Sequence, residues 1–279
     1  MRIITKEIIG NFEKYLITEE KALATLEKYI RDVRAFCAWL GGRAVDKNEI
    51  LSYKTELCEK YSVASVNSVI SALNTFFDFC DWNEFRIKAI KIQRQIFASK
   101  EKELTKQEYG RLLKTAESRG NERLFLLMQT ICSCGIRVSE LKYITVESLR
   151  KEYAEINCKG KRRQVLLPSD LCKMLKAYAQ RQKIKSGPVF ITKTGKPLDR
   201  SNIWSDMKKL CREAGVSEKK VFPHNLRHLF ARTYYSIQKD IVRLADILGH
   251  SNINTTRIYT MENGDIHRRQ IQKLGLLRC

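Results

Sequence analysis

Five residues far apart in the chain carry the side chains needed to cut a phosphodiester without a metal: Arg137, His224, Arg227, His250 and Tyr259. They stand in the segments CSCGIRVSEL, FPHNLRH and LGHSNINTTRIYT, and His250 lies nine positions before Tyr259. Guanidinium forks can hold the two free oxygens of a phosphate, imidazoles can move protons or donate hydrogen bonds, and a phenol can attack phosphorus. A free phenol ionises only near pH ~10, so a tyrosine in this role needs cations and a positioned imidazole beside it. Each residue also has a plainer reading. Arg137 could be half of a buried ion pair with Glu140, His250 could cap a helix after Gly249, and most of the eleven tyrosines serve the core. Tyr234 and Tyr235 compete with Tyr259 by proximity but fall within an apolar helical pattern. His228 stands four residues after His224, the helical spacing of a zinc pair. Arg227 on the same turn would repel a cation, however, and no carboxylate stands where a metalloprotease needs one. No metal is expected, and His228 reads as a packed, hydrogen-bonded histidine.

The charge of the chain agrees with a phosphate-bearing partner. The formal net charge is +21, and it is uneven: residues 1–100 hold a net +3 and residues 101–279 a net +18. An excess of that size, in the part that holds the phosphate-seeking residues, points to nucleic acid rather than to a solubility charge or a membrane surface. Apolar residues make up 43% of the 279, enough for a real core. Nine scattered cysteines, several inside apolar helical patterns, favour reduced thiols over a disulfide framework and a cytoplasmic protein. The opening MRIITKEIIGNFEKYL lacks the apolar run and cleavage site of a signal peptide, and no stretch is long and apolar enough for a membrane span.

The elements that must position these residues fall into two groups. In the first third, Leu26, Ile30, Val33, Cys37 and Leu40 recur at helical steps over residues 18–40, and Gly41-Gly42 stops that helix. A short opening helix over 6–16, one over 46–60 and one over 65–80 complete a small bundle, with the aromatic stripe of the last in its core. Residues 91–102, KIQRQIFASKEK, read as a basic linker. Thr105 and Glu108 then form a capping box for a new helix, and an apolar helix over 123–134 ends at Gly135. The chain resumes as a helix over 138–143. Residues 153–157 and 164–167 form a hairpin around CKGKRR, turning at Gly160. Ser169 is expected to cap a helix over 170–183. A strand over 189–192, a helix over 200–214 and a helix opened by Pro223 follow, and a last helix runs over about 264–274. The fold class expected is mainly α with a small β-sheet.

GIRVSEL, the basic hairpin, HNLRH, and LGH followed by a tyrosine nine residues later stand in the order found in the tyrosine recombinases, the phage-integrase and Xer-like family, which the whole chain resembles. The resemblance implies a helical, SAM-like core-binding domain over 1–90, the linker 91–102, and an α+β catalytic domain with a tail helix over 103–279. It implies Arg137 and Arg227 as phosphate clamps, His250 as a donor to the phosphate and Tyr259 as nucleophile. His224 would accept the tyrosine proton or bond the phosphate, and Lys159 would be the general acid, with Lys161 its competitor. Glu140 could orient Arg137. It also implies a 3′-phosphotyrosyl intermediate that needs neither metal nor ATP, and double-stranded DNA with specific sites as partner. A C-shaped clamp of two domains and a synaptic homo-tetramer are implied with it. The amphipathic tail with Ile266, Ile271, Leu274 and Leu277 would be exchanged between protomers, or else pack on its own domain. The outcome would be integration, excision, inversion or resolution, in the cytoplasm at the nucleoid. Cys158 departs from the usual small residue before the hairpin lysine, and no extra arm domain is expected. The alternatives are a type IB topoisomerase-like enzyme, an idle DNA-binding protein on the same fold, and a non-specific basic packaging protein. The compact helical first third and the tail after Tyr259 favour a recombinase over the first. Complete retention of the catalytic set argues against the second, and the third would have no reason to carry the ordered motif set.

Overall fold

The computed structural model describes residues 2–91, 103–158, 161–192, 194–259 and 272–274. The chain divides into two compact units, Met1–Arg94 and Gln95–Cys279. Among the described residues it is mostly helical, with one two-stranded sheet.

The first unit is four helices: α1 Lys6–Thr18, α2 Leu23–Leu40, α3 Lys47–Lys60 and α4 Val63–Phe79. Side-chain caps start three of them: Thr5 accepts from Ile8 N, Asp46 from Glu49 N and Ser62 from Ser65 N. Gly41, at φ 58°, closes α2 in the left-handed conformation that glycine adopts without strain. The expected helix over 18–40 is thus shorter at its start, because α1 runs on to Thr18. Phe12, Phe36, Phe76 and Phe77 are fully buried, and their rings pack edge to face, so the aromatic stripe is core.

The chain leaves this bundle along α4. Asn74 pairs its amide with both main-chain groups of Ile87 (2.9 and 3.0 Å), and Asn67 does the same for Ile90 (2.9 and 2.8 Å). Seven residues of helix rise about 10.5 Å, and three extended residues span about 10 Å. Two asparagines one heptad apart therefore match a strand that has no sheet to join. From the other side Lys47 donates to the carbonyls of Glu84 and Arg86, and Lys54 to that of Lys88.

The second unit opens with α5 Lys106–Ser118 and α6 Glu122–Cys134. The Thr105/Glu108 capping box is present. Residues Val138–Tyr143 are a 3₁₀ turn rather than the expected α-helix. After α7 Val146–Lys151, strands β1 Tyr153–Cys158 and β2 Lys161–Leu166 pair antiparallel, Ile156 opposite Arg163 and Ala154 opposite Val165. Their turn, with Lys159 and Gly160, lies outside the described residues. Helix α8, Ser169–Arg181, is not capped by Ser169. Pro168 holds the cap position, and the Ser169 hydroxyl donates to Glu152 (2.9 Å). The expected strand over 189–192 is also absent. Val189 and Leu198 make single hydrogen bonds to Ile144 and Phe190, and only isolated bridges form, because no neighbouring segment runs long enough to pair.

Helices α9 Arg200–Ala214, α10 Pro223–Gln238, α11 Ile241–Leu248 and α12 Ile253–Arg257 complete the unit. Its main core runs from Leu104 through α6, the hairpin and α8 to Leu229 on α10. A second, small cluster joins Ala231, Leu244, Leu248 and Tyr259, with Phe230, Tyr234 and Tyr235 against it. The expected last helix and most of the tail lie outside the described residues. The seven described cysteines are all free thiols. No described helix is long and apolar enough to cross a membrane.

Truncating Asn74 to alanine would strand both main-chain groups of Ile87 in a part-buried groove. An Asn74→Ala protein is expected to lose about 1–3 kcal/mol from the first unit. Urea unfolding of the full chain followed by Trp39 and Trp82 fluorescence reads that loss. An unchanged midpoint would mean the exit segment contributes nothing to the bundle.

Candidate active site

The site begins where α6 stops. Gly135 takes φ 61°, and a Cβ there would stand 2.4 Å from the Phe230 ring, so both conformation and space require glycine. The turn releases the Gly135 carbonyl and starts the 3₁₀ segment at Arg137. The carboxylate of Glu140 closes that segment back on itself: Oε2 accepts from the Arg137 amide (2.7 Å) and Oε1 from Arg137 Nη1 (3.0 Å). The ion pair read as the plain alternative for Arg137 therefore exists. Glu140 is buried while the Arg137 side chain stays 41% exposed, so the carboxylate holds the base of a guanidinium that still faces outward.

Arg227 lies in the first turns of α10, after Pro223 at N1, where a missing N–H costs nothing. It is fully buried. Nη1 donates to Gly135 O (2.6 Å) and Nη2 to Leu248 O (2.7 Å). Nη2 also meets His250 Nε2 (3.0 Å), and the guanidinium charge is near enough to the Tyr259 phenol to interact with it. Burial, and after it the charge of Arg137, pulls its pKa down to about 10, which leaves it charged at neutral pH.

Helix α11 ends at Gly249, φ 65°, and its last carbonyls point at cations. Leu248 O faces Arg227. Ile247 O accepts from Arg163 Nη1 (2.7 Å), while Arg163 Nη2 donates to Glu140 Oε2 (2.6 Å). His250 follows. A guanidinium can only donate, so Nε2 of His250 is the acceptor and the ring proton sits on Nδ1, bonded to Thr256 Oγ1 (2.9 Å). Burial first, then Arg227, Arg137 and Arg163, hold the His250 pKa down to about 4. Helix α12 brings the buried Thr256 under that ring and delivers Tyr259, which is 3% exposed.

Tyr259 sits between two imidazoles. His228 meets its ring edge-on at 4.7 Å and His250 lies nearly parallel at 6.0 Å. His224 packs on the far side of His228, at 4.5 Å. Its edge is open to solvent, yet enough protein surrounds it that burial, then Arg227, Arg137 and Arg200, lower its pKa. A cleft of about 640 Å³ opens beside this cluster, lined among others by Arg137, Ser139, Arg162, Arg163, His250 and Ser251.

Of the residues singled out in the sequence, Arg137, Arg227, His250 and Tyr259 thus converge. His224 reaches them through His228, and Lys159 lies outside the described residues. His228, read as a packed histidine, is packed, and its partner is Tyr259 itself. Two participants escaped sequence reasoning. Thr256 fixes the His250 tautomer. Arg163 ties β2 to the His250 turn, and alternation could have found it: Val165 and Leu167 are buried, which puts Arg163 on the inward face of the same strand.

The chain belongs to the phage integrase family: residues 102–265 match that family, and residues 9–84 match its N-terminal SAM-like domain. It is a tyrosine recombinase, an enzyme of DNA strand exchange. It is 31% identical to the tyrosine recombinase XerA of Thermococcus kodakarensis over 97% of this chain and 96% of that one. Its fold is similar to a lambda integrase dimer bound to a COC′ core site (TM-score 0.76, 18% identity, 93% of this chain and 96% of that one). It is also similar to XerH bound to difH substrate (TM-score 0.70, 20% identity, 96% and 85%).

The two half-buried imidazoles have a measurable consequence. His228 and His250 are held at about 4, below the ordinary 6.5, so the unfolded chain takes up their protons first as pH falls. The stability they contribute is complete above pH 6.5 and is lost as pH drops towards 4. The melting temperature of the DNA-free protein is expected to fall between pH 7 and pH 5, with a shallower fall in His228→Phe. Equal slopes in the two proteins would mean that His228 is not held neutral by its surroundings.

Proposed function

We propose that the chain cuts and rejoins double-stranded DNA at specific sites through a 3′-phosphotyrosyl intermediate, with Tyr259 as nucleophile. The observation that carries this reading is the convergence of the buried Arg227 guanidinium, bonded to His250 (3.0 Å), with the Tyr259 ring, which packs against His228 and His250 (4.7 and 6.0 Å). A phosphate held by Arg227 and Arg137 lies beside that phenol.

Each residue then has one task. The Tyr259 oxygen forms the bond to phosphorus, and the bond from phosphorus to the 5′ oxygen breaks. The phenol proton passes to His224 by way of His228, the ring that packs between them, and burial, then Arg227, Arg137 and Arg200, lower the His224 pKa. Lys159 gives a proton to the departing 5′ oxygen, a step worth about 10²–10⁴-fold. Arg137 and Arg227 hold the two free oxygens. The incoming negative charge offsets the effect of the arginines on His250, so its Nε2 can take up a proton and donate to the phosphate. The phosphotyrosyl bond keeps the phosphodiester energy, and a 5′ hydroxyl from a partner strand reverses the step to reseal the backbone. Neither a metal nor ATP is required.

Other proteins of this fold supply the setting. Lambda integrase is described as a tetramer bound to a Holliday junction, and XerH as bound to its difH substrate. By analogy four protomers of this chain synapse two sites, with Ile266, Ile271, Leu274 and Leu277 of the tail docked on a neighbour. The SAM-like unit and α9 supply the groove contacts, and the enzyme acts in the cytoplasm on nucleoid DNA. Because Tyr259 lies beside the Arg227 of its own chain, cleavage is in cis.

The first test incubates the protein with DNA fragments flanking its own gene, traps covalent adducts and maps the cut. Tyr259→Phe is expected to bind DNA and form no adduct. Mixing it with Arg227→Ala restores no cleavage if attack is in cis, whereas an adduct in the mixture would place the nucleophile in trans. For Lys159→Ala, cleavage is expected to slow on an ordinary phosphodiester and recover when the 5′ leaving group is a thiol. Equal slowing on both substrates would remove Lys159 from the acid's role.

A further inference from the structure

We propose that Arg163 is a positioning residue for strand cleavage: its guanidinium fixes the turn that carries His250 and keeps Glu140 from capturing the phosphate-binding arginines. This rests on the site-specific cleavage proposed above. The geometry has three parts. First, Arg163 spans two anchors. Nη1 donates to Ile247 O on α11 (2.7 Å) and Nη2 to Glu140 Oε2 (2.6 Å), with the side chain only 16% exposed. It thereby joins β2, the 3₁₀ segment of Arg137 and the end of α11. Second, the two last carbonyls of α11 are divided between two arginines, Ile247 to Arg163 and Leu248 to Arg227. The helix terminus is a negative end that would otherwise lack partners in a part-buried place. Third, Gly249 sits directly on Arg163. A Cβ on Gly249 would stand 2.5 Å from Arg163 Cδ and 2.9 Å from Nε and Nη1, so the turn closes only because the residue there is glycine and the arginine lies beneath it.

The electrostatics point the same way. One carboxylate, Glu140, faces three guanidiniums: Arg137 at 3.0 Å, Arg163 at 2.6 Å and Arg227 at 3.9 Å. Arg163 makes the shortest of these contacts, and each end of its fork is engaged within the protein. Without it, the full charge of a buried carboxylate falls to Arg137 and Arg227, and a phosphate must compete with Glu140 for both. At the same time the turn below His250 loses its floor. A shift of about 1 Å in such a group costs on the order of 10²-fold in rate.

The test uses the full-length protein and a nicked duplex carrying the mapped cut position. It measures the duplex Kd and the rate of covalent adduct formation. Arg163→Ala is expected to bind within about threefold of the parent and to cleave on the order of 10²-fold more slowly. Arg163→Lys, which keeps the charge but cannot span both anchors, is expected to recover about tenfold of that loss. Gly249→Ala is expected to slow the parent at least as much as Arg163→Ala does, and to cost less in the Arg163→Ala background, where the clash is gone and only the strain of the left-handed backbone remains. Parental cleavage by Arg163→Ala would overturn the proposal. So would additive losses in the double variant, or equal losses of rate and affinity that lysine does not relieve. Should Arg163→Ala fail to fold, parental rates in both Arg163→Lys and Gly249→Ala would overturn it. A parent that forms no adduct, while Tyr259→Phe binds as the parent does, would instead dismiss the cleavage reading itself.

Discussion

The catalytic unit is organised around one buried cation. A guanidinium taken out of water is tolerated only if its donors are satisfied at good geometry, and Arg227 meets that demand with three acceptors from two distant segments. Gly135 O comes from the end of α6, Leu248 O from the end of α11, and Nε2 from His250. Two of these are carbonyls that a helix cannot use internally, so the ends of two helices are where such acceptors are found. Both ends are set by left-handed glycines, and both glycines are crowded by a side chain, Phe230 at Gly135 and Arg163 at Gly249. The need to pair one charge thus fixes where α6 and α11 stop, and hence where Arg137 and His250 begin.

This constraint explains what could be read from the sequence and what could not. The chemistry-bearing segments were legible because each pairs a turn-forming glycine or proline with a charged or imidazole side chain: Gly135 with Arg137, Pro223 with His224 and Arg227, Gly249 with His250. The helices of the first unit were legible through their apolar spacing. Ser169 misled because its hydroxyl bonds Glu152 instead of the helix start, a tertiary contact that no local pattern contains. The segment 138–143 has a helical pattern but is tightened into a 3₁₀ turn, where Glu140 reaches back to the Arg137 amide. The role of Thr256 depends on a ring six residues away, and the contact of His228 with Tyr259 on the chain returning over α10. Both are set by packing, not by spacing.

The cationic cluster is held by internal hydrogen bonds. Arg227 is bonded to His250 and to two helix-end carbonyls, and His250 is held neutral with its proton turned towards Thr256. A phosphate that reaches Arg227 exchanges for existing contacts, so an anion able to engage both Arg227 and Arg137 at once is the one best compensated for breaking them.

The balance of charge favours an anion. Among the described residues Glu140 pairs with all three of Arg137, Arg163 and Arg227, so these guanidiniums exceed the charge it offsets. Interactions that strengthen only as charge develops are the ones that accelerate a reaction. An excess of cations around a phosphodiester therefore counts for more in the pentavalent transition state, where negative charge has built up, than in the bound diester. Glu140 holds the arginines in place and lowers that excess without cancelling it.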